Sequence, residues 1–296
     1  MKPHAARAGR GSGSAGQTDG RDGRDRARRG PLGCPAREGG QREGHGHHPH
    51  PRHSAPARAA PAARSVRAPA ILREWIGLNP AEELSRRFGQ PVAVANDPDM
   101  GGRGEHAFGA ARSIDDFLYI KASHGIGAGL ALAGRTYHGS SGIAGAIGHT
   151  RLEGATNLCR CGNPGCLETV VSITEVRRQL AHVLPAERPA DQTPGDPPSL
   201  ADLVTRPAAA RVITDAGRTL GLVLADLVNC LNPAAIILGG ELGAAGEPLA
   251  EGVRESINRY AQPASAKAVT ITASTLQQRS SLLGAVATAI EQSTVG

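Results

Sequence analysis

The chain is poor in aromatic residues. One Trp, three Tyr and three Phe occur in 296 residues, and none precedes Trp75. Any core must therefore be built from aliphatic and small side chains. No run approaches the roughly 18 consecutive apolar residues of a transmembrane helix. No apolar stretch near the N-terminus matches a secretory signal. The expectation is a cytoplasmic protein with no membrane span. Lysine is nearly missing too: only 3 of the 33 basic residues are Lys. An even cysteine count, the mark of a disulfide framework, is also absent. The five are Cys34, Cys159, Cys161, Cys166 and Cys230, with three inside eight residues. That clustering argues for a metal site.

The charge is unevenly placed. Residues 1–70 hold 13 Arg, 1 Lys and 5 acidic residues, a balance of +9, while the whole chain is +6. Residues 71–296 are thus −3, and the basic character belongs to the first quarter. It gives no nucleic-acid patch to the remainder. The only large aliphatics before residue 70 are Met1, Leu32 and Val66. Arg, Gly, Pro, Ala and His make up most of the rest, as in Gly44 to His53. Such a composition buries too little apolar surface to offset chain entropy, so residues 1–70 are expected to be a disordered tail. A basic arm for nucleic acid is one reading of it. A tail without specific function, or a shifted reading frame, is the favoured one.

Order is expected from about residue 71. Asn79 as cap, Pro80, Glu82 and Glu83 predict a helix over 79–88 that ends at Gly89. Pro91 to Ala95 reads as a short buried strand leading into Asn96-Asp97. Phe117 to Lys121 and Leu130 to Ala133 read as strands about a glycine-rich turn, Ser123 to Gly129. Residues 184–198 read as a polar surface loop. Val212, Ala216, Leu220, Val223, Leu227 and Leu231 share one face of a helix over 208–231. Ala235 to Leu238 is a buried strand before Gly239-Gly240. Val269 and Ile271 mark a late strand, and 282–290 a last helix. Strands alternating with helices predict an α/β domain.

The strongest chemical signal is His149 followed by Cys159, Cys161 and Cys166. Three thiolates and one imidazole fill a tetrahedral Zn²⁺ shell and leave no position for water, so the ion would be structural. The bland alternative is a set of buried free thiols. Asp97, after a strand, could accept a hydroxyl proton. Its bland alternative is the start of a helix.

Gly142-Ile-Ala-Gly-Ala-Ile-Gly-His149, with Cys159-x-Cys-Gly-x-x-Gly-Cys-Leu-Glu168, resembles the signature of the ROK family of repressors, open reading frames and sugar kinases. The resemblance runs from about residue 70 to the C-terminus. It implies an actin-like ATPase (ribonuclease H-like) fold with two lobes, a sugar between them, and a homo-oligomer. The expected organisation is a ROK domain over 71–296. Residues 71–110 would be a remnant of the small lobe. Residues 111–296 would be mainly the large lobe, with a zinc loop at 149–168. By this resemblance Asn96, Asp97, His149 and Glu168 contact the sugar, and Asp97 is the base in the kinases. Gly125, Gly127 and Gly129 match a phosphate loop, and Gly239 and Gly240 the pair flanking adenosine. ATP and Mg²⁺ belong only to a kinase.

Three departures from the family bear on function. Ala146 stands where the family has a sugar-contacting glutamate. Ser123-His124-Gly125 replaces Gly-Thr-Gly. No Asp-x-Gly-x-Thr hairpin precedes Ile71, and the sequence contains no evident helix-turn-helix. The expectation is a sugar-sensing protein like the family's transcriptional regulators, without efficient kinase activity and with doubtful DNA binding. The alternative is a glucokinase-like sugar kinase.

Overall fold

The computed structural model describes residues 77–184 and 198–294. The tail expected over 1–70 lies outside them, as does all but the ends of the loop expected over 184–198.

Helix α1 spans Pro80–Phe88, as the caps predict. Asn79 Oδ1 accepts from the Glu82 amide at 3.3 Å, and Gly89 ends the helix with φ +63°. Residues 91–95, expected as a buried strand, are largely exposed and join no ladder among the described residues. An apolar run becomes a strand only where a sheet edge accepts its amides; here Val92 N–H donates to Ser85 Oγ instead. Asn96 and Asp97 therefore open a helix rather than end a strand.

That helix, α2 (Asp97–Phe108), had no counterpart in the sequence reading. Glycines 101, 102 and 104 weaken helix propensity by roughly 1 kcal/mol each relative to Ala. Packing requires two of them, Gly101 and Gly104. A Cβ on Gly101 would lie 2.1 Å from Tyr119 Cε1, and one on Gly104 would lie 2.1 Å from Ser280 O.

β1 (Phe117–Ala122) and β2 (Ile126–Leu132) form an antiparallel hairpin. The expected glycine turn shrinks to Ser123–Gly125, because Gly127 and Gly129 lie inside β2. Their missing side chains admit α2: a Cβ on Gly129 would sit 2.2 Å from Pro98 O. β3 (Arg135–Thr136) pairs with β2. Short helices α3 (Glu168–Val171), α4 (Ile173–Val183) and α5 (Leu200–Leu203) precede the long α6 (Pro207–Leu231). Asn232, at φ 45°, stops α6. Then come β4 (Ala235–Gly239), α7 (Gly240–Gly243), α8 (Glu247–Tyr260), α9 (Pro263–Ala268), β5 (Thr270–Ala273) and α10 (Ser280–Thr294).

The sheet order is β3-β2-β1-β4-β5, with β1, β4 and β5 parallel. Strand alternation divides the core. Leu118, Ile120, Ile236 and Leu238 join the cluster that includes Leu220 and Leu224 of α6 and Val253 of α8. Phe117, Tyr119, Ala235 and Ile237 form the second cluster, on the face where α2 lies against β1 and β2. The scarcity of rings makes close backbone packing matter. A Cβ on Gly284 of α10 would lie 1.8 Å from Met100 O of α2. Gly284→Ala is expected to force these two helices apart and cost about 1–3 kcal/mol, read as a lower urea midpoint. An unchanged midpoint would mean the helices shift freely.

Candidate functional site

The densest chemistry lies between β3 and α3. A one-turn 3-10 segment, Ile147–His149, presents His149. Glycines at φ +95° (Gly162) and +78° (Gly165) fold the next loop back on itself. The Cys159 amide bonds Asn163 O, and the Gly162 amide bonds Cys159 O, each at 2.9 Å. This knuckle brings one ligand atom from each of His149, Cys159, Cys161 and Cys166 within 4.8 Å of the others. Cys159 Sγ is 3.6 Å from His149 Nδ1, and Cys161 Sγ is 3.6 Å from Cys166 Sγ. Bonds of about 2.3 Å in a tetrahedral shell put sulfur ligands roughly 3.8 Å apart, so the quartet fits a Zn²⁺-sized cation.

Burial pushes the Cys159 thiol up to about 12 and raises Cys166 also, whereas the Asn163 backbone amide lowers Cys161. Buried thiolates need a compensating cation, and a bound divalent metal would supply it while displacing the protons.

Glu168 opens α3 and is buried. Its Oε1 lies 3.2 Å from Cys159 Sγ, 3.4 Å from Arg160 Nε and 3.9 Å from His149 Nδ1. Its Oε2 borders the hairpin turn, 3.4 Å from where a Cβ on Gly125 would be. The structure thus gathers Gly125, His149 and Glu168 around the knuckle.

Asn96 and Asp97 sit elsewhere, at the N-terminus of α2, beside the C-terminal ends of β1 and β4. Asp97 pairs with the ammonium of Lys121. Both line a polar cleft of about 390 Å³ with Ser123, Gly240, Glu241 and Ser281. Crevices at the carboxyl ends of parallel strands are common ligand sites. The Ser123–Gly125 turn links cleft and knuckle. Ser123 Oγ accepts from the Glu241 amide at 3.1 Å, while Gly125 faces Glu168. Gly240 lines the cleft, at φ +76°. Gly239 instead makes room for Tyr119, whose Oη would be 2.3 Å from a Cβ there.

Sequence reasoning missed four participants. Lys121 interrupts an otherwise apolar strand, a signal that was available. Arg160 lies between two cysteines and was passed over as a spacer. Asp99 and His138 are paired at 2.9 Å across 39 residues, and no local pattern announces them.

A five-stranded sheet of this order, a His/Cys knuckle that could hold a metal ion and a crevice at the strand ends define an α/β domain. Comparison then gives the family. The ROK family model matches residues 69–292. The xylose repressor of Caldicellulosiruptor bescii is 29% identical over 226 residues, covering 73% of this chain and 56% of that protein. The glucokinase of Halalkalibacterium halodurans is 32% identical over 224 residues, covering 71% and 67%. A crystal structure of a ROK family glucokinase from Streptomyces griseus, in complex with glucose and AMPPNP, superposes with a TM-score of 0.60 at 27% identity, covering 73% of each chain. This chain belongs to the ROK family, with its actin-like ATPase fold. It spans about half the length of the curated repressors it matches. No helix among the described residues is long and apolar enough to cross a membrane.

Proposed function

We propose that this chain is a sugar-binding ROK protein of the transcriptional-regulator kind, with a structural zinc ion and without efficient kinase activity. The observation that carries the reading is the knuckle: one metal would fix His149 and, through Cys159 and Arg160, Glu168 beside Gly125. Four protein ligands leave the ion no open position. Its role is to hold a loop whose imidazole and carboxylate meet sugar hydroxyls. Asn96 and Asp97 would complete the contacts from α2. Repressors and glucokinases are both among its relatives, which supports a sugar as ligand. A homo-oligomer is part of the proposal, and DNA binding is not.

Two features weigh against phosphoryl transfer. The Lys121 ammonium competes with a sugar hydroxyl for Asp97. Glu241 lines the cleft, where its carboxylate opposes a nucleotide's phosphates; transfer depends mainly on positioning and charge neutralisation. Gly127, Gly129, Gly239 and Gly240 would then be retained for close packing, and Gly125 as part of the hairpin turn. The kinase reading, with Asp97 as base and ATP and Mg²⁺ bound, draws on the glucokinase relative, which the chain covers to 67%.

Calorimetric titration with a hexose and pentose panel, beside a coupled ADP assay, tests both. Saturable sugar binding without turnover is expected. Glu168→Gln is expected to weaken binding roughly tenfold to a hundredfold, the value of about 1.5–3 kcal/mol for a charge-assisted hydrogen bond. ADP release that disappears in Asp97→Asn would establish the kinase instead. Failure to bind any sugar would sink both readings.

A further inference from the structure

We propose that Asp99 and His138 act as a positioning pair, locking the loop 138–146 onto α2 so that Asp97 and His149 keep a fixed relation. The inference rests on the sugar-site reading above and adds two residues to it.

Asp99 lies in the first turn of α2, two residues after Asp97. Its side chain is 6% exposed. Oδ2 meets His138 Nδ1 at 2.9 Å, while Oδ1 is buried with no partner. Desolvation raises the Asp99 carboxyl, and the charge and hydrogen bond of His138 oppose that rise. A buried carboxylate with an idle oxygen is a poor stabilising device, since the unpaired acceptor is costly. Its value is sought in what it holds.

His138 begins a closed loop. Its carbonyl accepts from the Ala144 amide at 3.1 Å. Gly139 (φ +71°) and Gly142 (φ +79°) supply the bends. The loop returns at Gly145, whose carbonyl takes the Ala128 amide at 2.8 Å. A Cβ there would lie 1.9 Å from Ala128 O, so the return point is fixed against β2. Four residues further on stands His149. One end of the loop is therefore pinned by the imidazole to α2, which carries Asp97. The other is pinned by backbone to the sheet and delivers a metal ligand. Ile143, at the tip, is 71% exposed and contributes little anchoring. Without the pair, backbone hydrogen bonds and the small Ala144 side chain against the core would be left to join this loop to the site.

The test compares the zinc-loaded full chain with His138→Ala and His138→Asn. The Asn amide places a donor near the position of Nδ1. Hydrogen exchange over residues 139–146 is expected to quicken tenfold or more in the Ala variant. It should stay within threefold of the parent in the Asn variant, with zinc content equal in all three. The sugar found by the panel is expected to bind tenfold or more weakly to the Ala variant, with affinity restored by Asn. Equal exchange in all three proteins, no rescue by Asn, or zinc loss from the Ala variant would overturn the proposal. A parent that binds no sugar would remove the sugar reading, while the exchange data would still judge the pair. Should the Ala variant not fold, His138→Leu, which fills the volume without a donor, carries the same comparison.

Discussion

Cys166→Ser is expected to empty the metal site and to melt the loop built around it. The parent should carry about one zinc per chain, and the variant almost none. A structural zinc contributes roughly 10–16 kcal/mol of apparent binding energy in small domains, so the loss of one ligand is a loss of several kcal/mol. For a folded part of this size each kcal/mol moves Tm by roughly 2–4 °C, which puts the expected drop near 10 °C or more. The reason is local. Between Gly148 and Leu167 the buried side chains are Cys159 and Cys166, so the loop has no apolar core of its own. Isolated bridges, Arg151 with Cys166 and Leu158 with Pro164, are all the sheet it has. Serine oxygen is a hard, poorly ionised donor and does not replace a thiolate on zinc. Elemental analysis with thermal melts checks this. A metal-free parent that melts with the same midpoint as the variant would remove the structural ion from the account.

The His/Cys cluster was legible because its geometry is nearly all local: three cysteines and two glycines in eight residues can fold only a tight loop. Helix α1 was legible for the same reason, since a cap is a matter of four adjacent residues. Errors arose where a distant partner decided the outcome. Gly101 and Gly104 look like helix breakers until Tyr119 and Ser280 are brought against them. Gly127 and Gly129 look like turn residues until Pro98 crosses above them. Residues 91–95 have strand composition without a strand to meet. The charges divide likewise. Lys121 could have been suspected from its apolar neighbours, but its partner Asp97 is 24 residues away. The family signature named the knuckle residues correctly as a spatial group, while the cleft and the paired cations beyond it depend on packing that no spacing encodes.

Glu105 is the largest such long-range effect, and its replacement is the more severe expected lesion. The side chain is fully buried in α2. Oε1 accepts from the Ser280 hydroxyl at 2.8 Å, from the Leu276 amide at 3.2 Å and from the Ser274 hydroxyl. Oε2 accepts from the Ala110 amide at 2.8 Å and the Thr275 hydroxyl at 3.3 Å. An obligate donor, a backbone N–H, faces each of the two oxygens. Gly109 leaves the space, since a Cβ there would lie 2.1 Å from Oε2. Glu105→Gln sets an amide NH₂ against donors whichever way it is turned, and is expected to cost about 2–4 kcal/mol. Glu105→Ala leaves a cavity and several buried donors without an acceptor, and should cost about 4–5 kcal/mol, which is exceptional for one residue. Chemical denaturation measures both, and the ordering Ala worse than Gln is part of the prediction; equal or negligible losses would mean that water replaces the carboxylate. The consequence reaches the cleft. The turn held by Glu105 contains Gln277 in the left-handed region at φ +51°, and leads into Ser281 at the cleft wall. A carboxylate with no exposed surface therefore shapes the crevice from behind, and Glu105→Gln is expected to loosen the cleft wall at Ser281, read as faster hydrogen exchange there, while leaving zinc content unchanged.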